Sequence, residues 1–456
     1  MIAKNEVLKM ATGLSLNPDT VEKDYILGWI LFGINNHPTI SSWAFKGGTS
    51  LKKCYFETFR FSEDLDFTLT DKTHVAEDFL RETFNHIADQ LSEEVGIEFF
   101  KDRFRFKIIE KGNDKFSAQG KIHYNGPLQR KHGVATIKLD LTTDELLVLK
   151  TTKNKVHHPY SDEPDKGIYA NCYAFEEVVA EKIRALAQRA RPRDLYDVVH
   201  FFRNRDMIND PRLVYNVLKK KCDYKEMDVP TFQTIEDHEK LRELEEQWEN
   251  MLAHQLTHLP PMESFWADLA PFFDWLKGKL LEEKLVSIST KTGEAIFNTE
   301  RIDNAYSIDS VLHRIQFAAA NRVCVKLRYN NRDRTVEPLS FRTARNGNRL
   351  FYGFEREAEH PKAYSITNIQ SVEITDLPYV EKYPVEISAT GYISMPPVRR
   401  ESFSCRPSLS SPKYRYECPV CERYFYHKSH NPKLNPHKDK DGWQCSGRRG
   451  VYIDYD

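Results

Sequence analysis

The spacing of apolar residues changes period several times along the chain, and each change marks an element. Behind Asn17-Pro18-Asp19, a helix start signal, Val21, Tyr25, Ile26, Trp29 and Ile30 recur at helical spacing, which predicts a helix packed on a core. Between Phe61 and Leu69 the period drops to two. Phe61, Leu65, Phe67 and Leu69 fall on one face, and Ser62, Asp64, Asp66 and Thr68 on the other, so a half-buried strand points both aspartates the same way. Residues 75–94 read as helix and 97–110 as strand. The alternation returns at 134–142, where Ala135, Ile137, Leu139 and Leu141 oppose Thr136, Lys138, Asp140 and Thr142. In 174–190, Phe175, Val179, Ile183 and Leu186 form an apolar helical stripe. Lys182 and Arg189 lie nearly two turns apart on another, so both cations can face one ligand. Pro192 closes that helix, and Asp194 is expected to cap the next, whose core face is Leu195, Val198, Val199 and Phe202.

Residues 213–285 are again helical in pattern, with Trp248, Leu252, Leu256, Phe265, Leu269, Phe272 and Trp275 as packing residues and a break at Pro260-Pro261. The charge-rich run 236–249 reads as a solvated helix face. Polar residues from 287 onward mark a linker, followed by a short helix at 307–321 and strand-like segments at 323–329, 334–341, 349–354 and 362–374.

Chemistry enters at residues 45–70, where the aspartates follow a glycine turn. Gly47 and Gly48 lack a Cβ, so backbone N–H groups can approach a phosphate closely. Thr49 and Ser50 add hydroxyls as a helix begins, and Lys46, Lys52 and Lys53 add positive charge. Carboxylates two residues apart on one strand face repel each other unless a hard divalent cation sits between them. Mg2+ with a triphosphate is the usual partner. Asp140 is the natural third carboxylate from a neighbouring strand.

Lys46-Gly47-Gly48-Thr49-Ser50-Leu51 followed by Arg60-Phe61-Ser62-x-Asp64-x-Asp66 resembles the nucleotidyltransferases of the AbiEii/AbiGii toxin family, over about the first 280 residues. The resemblance implies an α+β fold: a polymerase-beta-like mixed-sheet core (1–205) with a helical C-terminal bundle (206–286). It implies a Mg2+-dependent transfer of NMP from an NTP to RNA, with the 3′ end of tRNA as the acceptor. The consequence would be arrested translation in a toxin–antitoxin or phage-defence system, opposed by a cognate antitoxin. Asp64, Asp66 and Asp140 would hold Mg2+, while Lys46, Gly47, Gly48, Thr49, Ser50, Ser62 and Arg189 would bind the nucleotide. The family also carries a Glu-Lys helix followed by Arg-Asp-Leu-x-Asp, here Glu181, Lys182, Arg193, Asp194, Leu195 and Asp197. Lys182 and Asp194 are therefore carried over as catalytic residues. Glu22-Lys23-Asp24 also resembles a family signature, though by pattern it is a solvated helix face.

After a linker at 287–305, residues 306–385 resemble a WYL domain, a small SH3-like β-barrel. The carrying residues are Val325 to Tyr329, Val336-Glu337-Pro338, Leu350 to Phe354 and Tyr364-Ser365-Ile366; Leu350-Phe351-Tyr352 stands where Trp-Tyr-Leu is expected. Arg328, Arg334, Arg342, Arg345 and Arg349 accompany aromatics here, which suits a nucleic-acid or nucleotide ligand or, equally in one dimension, plain surface arginines. In the zinc-ribbon-like tail, 399–456, Cys418-x-x-Cys421 precedes Cys445. With His437 these make a closed four-ligand structural Zn2+ set, and His427 and His430 stand as alternatives for the fourth position.

Composition limits the remaining classes. The chain has 456 residues, enough for two or three domains, and Lys plus Arg (66) against Asp plus Glu (67) gives net charge -1, so any basic surface is local. The longest apolar run, 25–34, is far below the roughly 18 residues of a membrane span. No signal-peptide layout opens the chain, so a cytoplasmic protein without a membrane partner is expected. The motif does not name the acceptor. Transfer onto a protein side chain keeps the same site, and a nucleotide- or nucleic-acid-sensing regulator built on the accessory modules is the reading from another class.

Overall fold

The computed structural model describes residues 1–56, 59–110, 112, 115–130, 134–208, 210–279, 294–296, 310–387, 414–427, 430–439 and 444–455. After α1 (Lys4–Leu14), the start signal works as expected: the Asn17 side chain accepts the Asp19 N–H, Pro18 is the first helical residue, and α2 runs Pro18–Asn36. α2 is buried on nearly every side. That burial contradicts the solvated reading of Glu22-Lys23-Asp24. Glu22 accepts the Leu128 N–H at 2.7 Å and lies 3.3 Å from Arg130, and Asp24 binds Lys53 at 2.6 Å and Tyr160 at 2.9 Å.

Eight strands form the first sheet: β1 (Ala44–Lys46), β2 (Asp64–Thr68), β3 (Glu98–Phe99), β4 (Arg105–Glu110), β5 (Phe116–Asn125), β6 (Ala135–Thr142), β7 (Thr152–Val156) and β8 (Ile168–Cys172). Their order is β3-β5-β6-β2-β1-β8-β7, with β4 also on β5. β2 with β6 and β1 with β8 are parallel and the other pairs antiparallel, so the sheet is mixed as expected. The single strand read at 97–110 is two, β3 and β4, divided by a 3-10 turn at Lys101–Arg103. α3 (Gly47–Cys54) follows β1 directly, and α4 (Glu77–Val95) follows β2.

α5 (Phe175–Arg189) and α6 (Pro192–Arg203) lead into α7 (Pro211–Tyr224), α8 (Phe232–Glu236), α9 (Leu241–Leu252) and α10 (Met262–Leu276). α5 packs on α6 and α7, and α6 on α9 and α10. Phe265, Leu269 and Phe272 are buried with Trp248, as the spacing predicted. Residues 280–286 of the expected bundle lie outside the described residues, as does most of the expected linker. Within that linker, β9 (Ala295–Ile296) pairs with Arg342 and Thr343, and Glu294 accepts the Tyr352 hydroxyl, so this piece is docked strand rather than tether.

α11 (Ser310–Asn321) precedes β10 (Val323–Tyr329), β11 (Arg332–Thr343), β12 (Arg349–Glu355), β13 (His360–Ser365) and β14 (Ile369–Pro378), an antiparallel sheet in the order β13-β12-β11-β10-β14. The segment read as one strand at 362–374 is split by a 3-10 turn at Ile366–Asn368, and among the described residues no ladder closes β13 onto β14. α11 covers a core of Leu312, Ile315, Val325, Val336, Phe351 and Tyr364. It also meets the helical bundle: Arg203 donates to the Asn321 carbonyl at 2.8 Å, Arg322 to the Arg203 carbonyl at 3.0 Å, and Tyr196 to Asn321 Oδ1 at 3.0 Å.

Met1–Ser394 form one compact unit and Met395–Asp456 a second. The second holds a small antiparallel sheet, ordered β16-β15-β17, of β15 (Tyr414–Glu417), β16 (Tyr424–His427) and β17 (Val451–Tyr455). Among the described residues no helix is long and apolar enough to cross a membrane.

Candidate active site

The parallel pairing of β2 and β6 sets Asp66 beside Asp140 and Asp64 beside Lys138; on the other side of β2, antiparallel β1 sets Lys46 opposite Asp66. Residues paired across strands share a face, so Lys46, Asp66 and Asp140 make a row across three strands, with Asp64 two residues along the same face. The three acids singled out from the sequence are thus brought together. Burial pushes the Asp66 carboxyl up to about 6; Lys46 and Lys182 oppose the shift, Asp140 and Asp64 reinforce it. Burial and Asp140 likewise raise Asp64 against Lys138. A buried acid crowded by like charges favours a cation or a proton.

Gly47 adopts φ +78°, and a Cβ there would lie 2.1 Å from Asp66 Oδ2. A Cβ on Gly48 would lie 2.8 Å from Arg60 Nη2 and 3.2 Å from Ser62 Oγ. The glycines therefore make room for the acid and for Arg60, a second requirement for glycine at the turn besides close approach of a phosphate. The Thr49 hydroxyl donates to the Asp64 carbonyl and that of Ser50 to the Gly47 carbonyl at 2.9 Å. Both hydroxyl protons are used inside the fold, which leaves the backbone N–H groups at the start of α3 as the donors that turn offers.

The cations are more committed than the sequence suggested. Lys46 binds Glu181 at 3.0 Å and lies 4.0 Å from Glu145. Lys53 is fully buried on Asp24, and Lys52 sits 4.5 Å from the Phe61 ring centroid, so the expectation that both lend free charge to the turn is corrected. Asp194 does not cap α6: the cap position is Arg191, Pro192 is the first helical residue, and the Asp194 carboxylate turns away from the backbone. It accepts both Nε and Nη2 of Arg189, at 2.6 and 2.8 Å, with Lys182 at 3.4 Å. Lys182 is closer to Asp197, at 2.7 Å, which also takes a bidentate pair from Arg60 at 2.8 Å. Burial alone would raise both carboxyls. For Asp194, Lys182 and Arg189 hold it below the usual range, and for Asp197, Arg60 and Lys182 do so. Lys182 and Arg189 do face one group, as their spacing predicted, and that group is the buried Asp194. Arg189 keeps 45% of its side chain exposed.

In the sequence Arg60 and Asp197 are only motif positions, and the structure pairs them. The available signal was Asp197 itself: a charge flanked by Tyr196, Val198 and Val199 in a helix buried all round must find a partner.

In the C-terminal unit the ligand atoms of Cys418, Cys421, His437 and Cys445 all lie within 4.8 Å of one another. Among the described residues this is the one set of three or more Cys, His, Asp or Glu so gathered; the Asp64, Asp66 and Asp140 carboxylates are not drawn that close. Cys418 and Cys445 Sγ are 3.8 Å apart, far beyond a disulfide, and Cys421 Sγ is 3.3 Å from His437 Nε2. His437 Nδ1 lies 2.9 Å from the Asn435 carbonyl, which leaves Nε2 as the coordinating nitrogen. His427 packs edge-on to Tyr416 and His430 to Tyr414. A Cβ on Gly447 would lie 2.3 Å from Cys418 Sγ, so the chain closes tightly over the thiols.

The arginines of the central sheet divide. Arg334 forms two contacts with Glu355 at 2.8 and 2.9 Å, Arg342 pairs with Glu386 at 2.6 Å, and Arg328 lies 3.6 Å from Asp333. The first two pin strands and segments of the fold together.

A family profile described as the nucleotidyl transferase AbiEii toxin of type IV toxin–antitoxin systems matches residues 29–277. Among solved structures, the MenT4 nucleotidyltransferase toxin of Mycobacterium tuberculosis is similar at 19% identity, over 61% of this chain and 90% of its own, with a TM-score of 0.41. JHP933 of Helicobacter pylori is similar at 17% identity, over 58% and 94%, with a TM-score of 0.36. A putative nucleotidyltransferase of H. pylori is similar at 19% identity, over 58% and 97%, also at 0.36. No curated protein matches the chain.

Proposed function

The chain belongs to the AbiEii family of nucleotidyltransferase toxins, and from that premise we propose that it transfers NMP from an NTP to RNA, at the 3′ end of tRNA. It is a nucleotidyltransferase; the acceptor is our reading. The transfer chemistry rests on the β2–β6 register, which sets Asp66 beside Asp140 with Asp64 on the same face; the acceptor rests on the family resemblance.

Asp64, Asp66 and Asp140 supply hard oxygen donors whose mutual repulsion fits a divalent cation, and we assign Mg2+ to them. When bound, the metal neutralises phosphate charge and lowers the pKa of an acceptor hydroxyl. The protein's own share is positioning. The backbone N–H groups of the Gly47-Gly48 turn receive phosphate oxygens. Lys182 and Arg189, oriented by Asp194, place positive charge beside the acids, and Ser62 stands next to Gly48 at the turn. Lys46 holds Glu181 and the Asp66 side of the row.

The family implies a cognate antitoxin. We assign a cytoplasmic setting, which fits the free buried thiols of Cys54, Cys172, Cys222 and Cys324. For the tail we propose structural Zn2+ on Cys418, Cys421, His437 and Cys445. A Zn–S bond of about 2.3 Å in a tetrahedron gives an S···S edge of about 3.8 Å, the separation found between Cys418 and Cys445. The central antiparallel sheet we read as WYL-like.

The test is incubation of purified protein with Mg2+, each labelled NTP, total RNA and cell protein. Label enters RNA with the wild type and not with Asp66→Asn. Label in protein alone, or in neither pool, overturns the RNA assignment.

A further inference from the structure

The C-terminal unit has one aromatic face that its metal cluster does not explain. On the inner side of the three-stranded sheet, Tyr414, Tyr416 and Phe425 pack around Cys418, Leu434 and Cys445. The strand period sends the alternate residues outward. Tyr424 and Tyr426 of β16 are 54% and 55% exposed, and Val451 of β17 is 56% exposed. Tyr424 pairs with Glu417 and Tyr426 with Arg415 across the ladder, and Glu417 pairs with Val451, so these residues share the outer face. The Arg415 guanidinium lies 5.2 Å from the Tyr424 ring centroid.

Large exposed rings on a polar sheet are costly unless they meet something flat or apolar. Alternate positions of a strand are about 6.6 Å apart, so Tyr424 and Tyr426 offer two separate, equally oriented platforms. A guanidinium beside one ring adds a second planar, cationic partner. The segment is also the basic part of a chain whose net charge is -1: residues 399–456 hold 12 Lys/Arg and 7 Asp/Glu. Among the described side chains, the outer face itself carries one cation, Arg415, and one acid, Glu417. Its two spaced rings and the guanidinium match the unstacked π faces of a single strand, and the basic segment around the face suits that strand's charge.

We propose that the outer face of β16-β15-β17 binds single-stranded nucleic acid, with bases stacked on Tyr424 and Tyr426 and Arg415 beside them. A duplex keeps its bases stacked on one another and has none to offer these rings. The binding does not depend on the transferase reaction or on which molecule accepts the nucleotide.

The experiment uses the full chain and fluorescence anisotropy with labelled single-stranded oligoribonucleotide, oligodeoxyribonucleotide and blunt RNA duplex of equal length. Asp66→Asn is the background for every variant, so nucleotide transfer cannot alter the probe. Expected are binding of single strands over duplex, and a loss of about tenfold for each of Tyr424→Ala and Tyr426→Ala. Tyr424→Phe and Tyr426→Phe should bind as the parent does, because the ring and not the hydroxyl carries the contact. A preference for the RNA strand over the DNA strand would name RNA as the ligand, and equal binding would leave single strands of either sugar as the class. Parent-like affinity in the double alanine variant, or equal binding of duplex, overturns the proposal. Binding of no oligomer also overturns it and gives the face to a protein partner.

Discussion

Gly47 and Asp66 share one volume: Asp66 Oδ2 occupies the space within 2.1 Å of where a Cβ on residue 47 would be. Glycine in the turn and acid on the strand are therefore a single device, since the turn can be this close to the carboxylate only without a side chain. Gly47→Ala should displace Asp66 and lower transfer by about 100-fold or more. Gly96→Ala is the control, because Gly96 has a similar φ of +76° with no atom within 4 Å. It should cost about 1 kcal/mol from the left-handed backbone alone and leave transfer unchanged. Equal loss of activity in the two variants would show that backbone strain, not the carboxylate, sets the requirement.

The Arg60–Asp197 pair is structural first. Its two contacts at 2.8 Å join the segment before β2 to α6, and Gln255 takes a third Arg60 hydrogen at 3.0 Å. Asp197→Ala leaves Arg60 and Lys182 buried without that carboxylate, a loss of about 3–5 kcal/mol in denaturant unfolding. Arg189→Ala leaves the buried Asp194 carboxylate with Lys182 alone, at 3.4 Å, and should lower stability as well as transfer. If Asp197→Ala unfolds at the wild-type midpoint, the pair is not holding the elements together.

These residues also mark the boundary of what the sequence discloses. The period-two pattern fixes which way Asp64, Asp66 and Asp140 point, because strand geometry is local. It cannot say that β2 and β6 are neighbours in a register that pairs Asp66 with Asp140, and the family resemblance supplied that step. The helical spacing of Lys182 and Arg189 shows a common face, while the group they meet, Asp194, was read as a cap because an acid after a proline often is one. Glu22 and Asp24 look solvated because a charged triplet on a helix usually lies on its outer face. Their partners, Leu128, Arg130, Lys53 and Tyr160, lie far away in sequence. The cysteine cluster was legible because a tetrahedral site needs four ligands and the tail has few to choose from.

His200 links burial to pH. It sits in α6 among Phe56, Phe59 and Tyr196, and among the described residues neither ring nitrogen has a hydrogen-bond partner. Burial pulls its pKa down to about 3, helped by Arg203, Arg322 and Arg60 and opposed by Asp197. The unfolded chain takes up a proton below about 6.5 while the folded chain does not, so this group's contribution falls as pH drops below 6.5 towards 3. Between pH 7.5 and 5 the loss is about 2 kcal/mol. His200→Leu should lose correspondingly less than wild type over that interval in urea unfolding; parallel losses would place the titrating group elsewhere.

Metal removal should be visible as thiols. Cys54, Cys172, Cys222 and Cys324 are fully buried, whereas Cys418, Cys421 and Cys445 are held in the tail cluster. A zinc chelator should raise the number of thiols that react rapidly by three per chain and melt the tail's near-ultraviolet signal, since the tail's small core is built around the thiols themselves. Cys445→Ser should give the same tail without chelator. A reactive-thiol count unchanged by chelation means the cluster holds no metal.

Truncation before α11 would not be a clean test of whether the residues from α11 onward restrain the enzyme. Arg203 of α6 donates to the Asn321 carbonyl, and Arg322 returns a bond to the Arg203 carbonyl and pairs with Glu381 at 2.6 Å. α6 carries Asp194 and Asp197, so the junction with α11 reaches the site through one helix. Deleting residues 300–456 removes these partners from a buried arginine and should lower the melting temperature, and any change in transfer would then mix release with damage. Arg322→Ala in the full chain separates them. It weakens the junction while the sheet and tail stay attached, and it should lower stability by about 1–3 kcal/mol. Restraint predicts a transfer rate above wild type in this variant, support predicts one below it, and an unchanged rate with unchanged stability would show that the junction transmits nothing to α6.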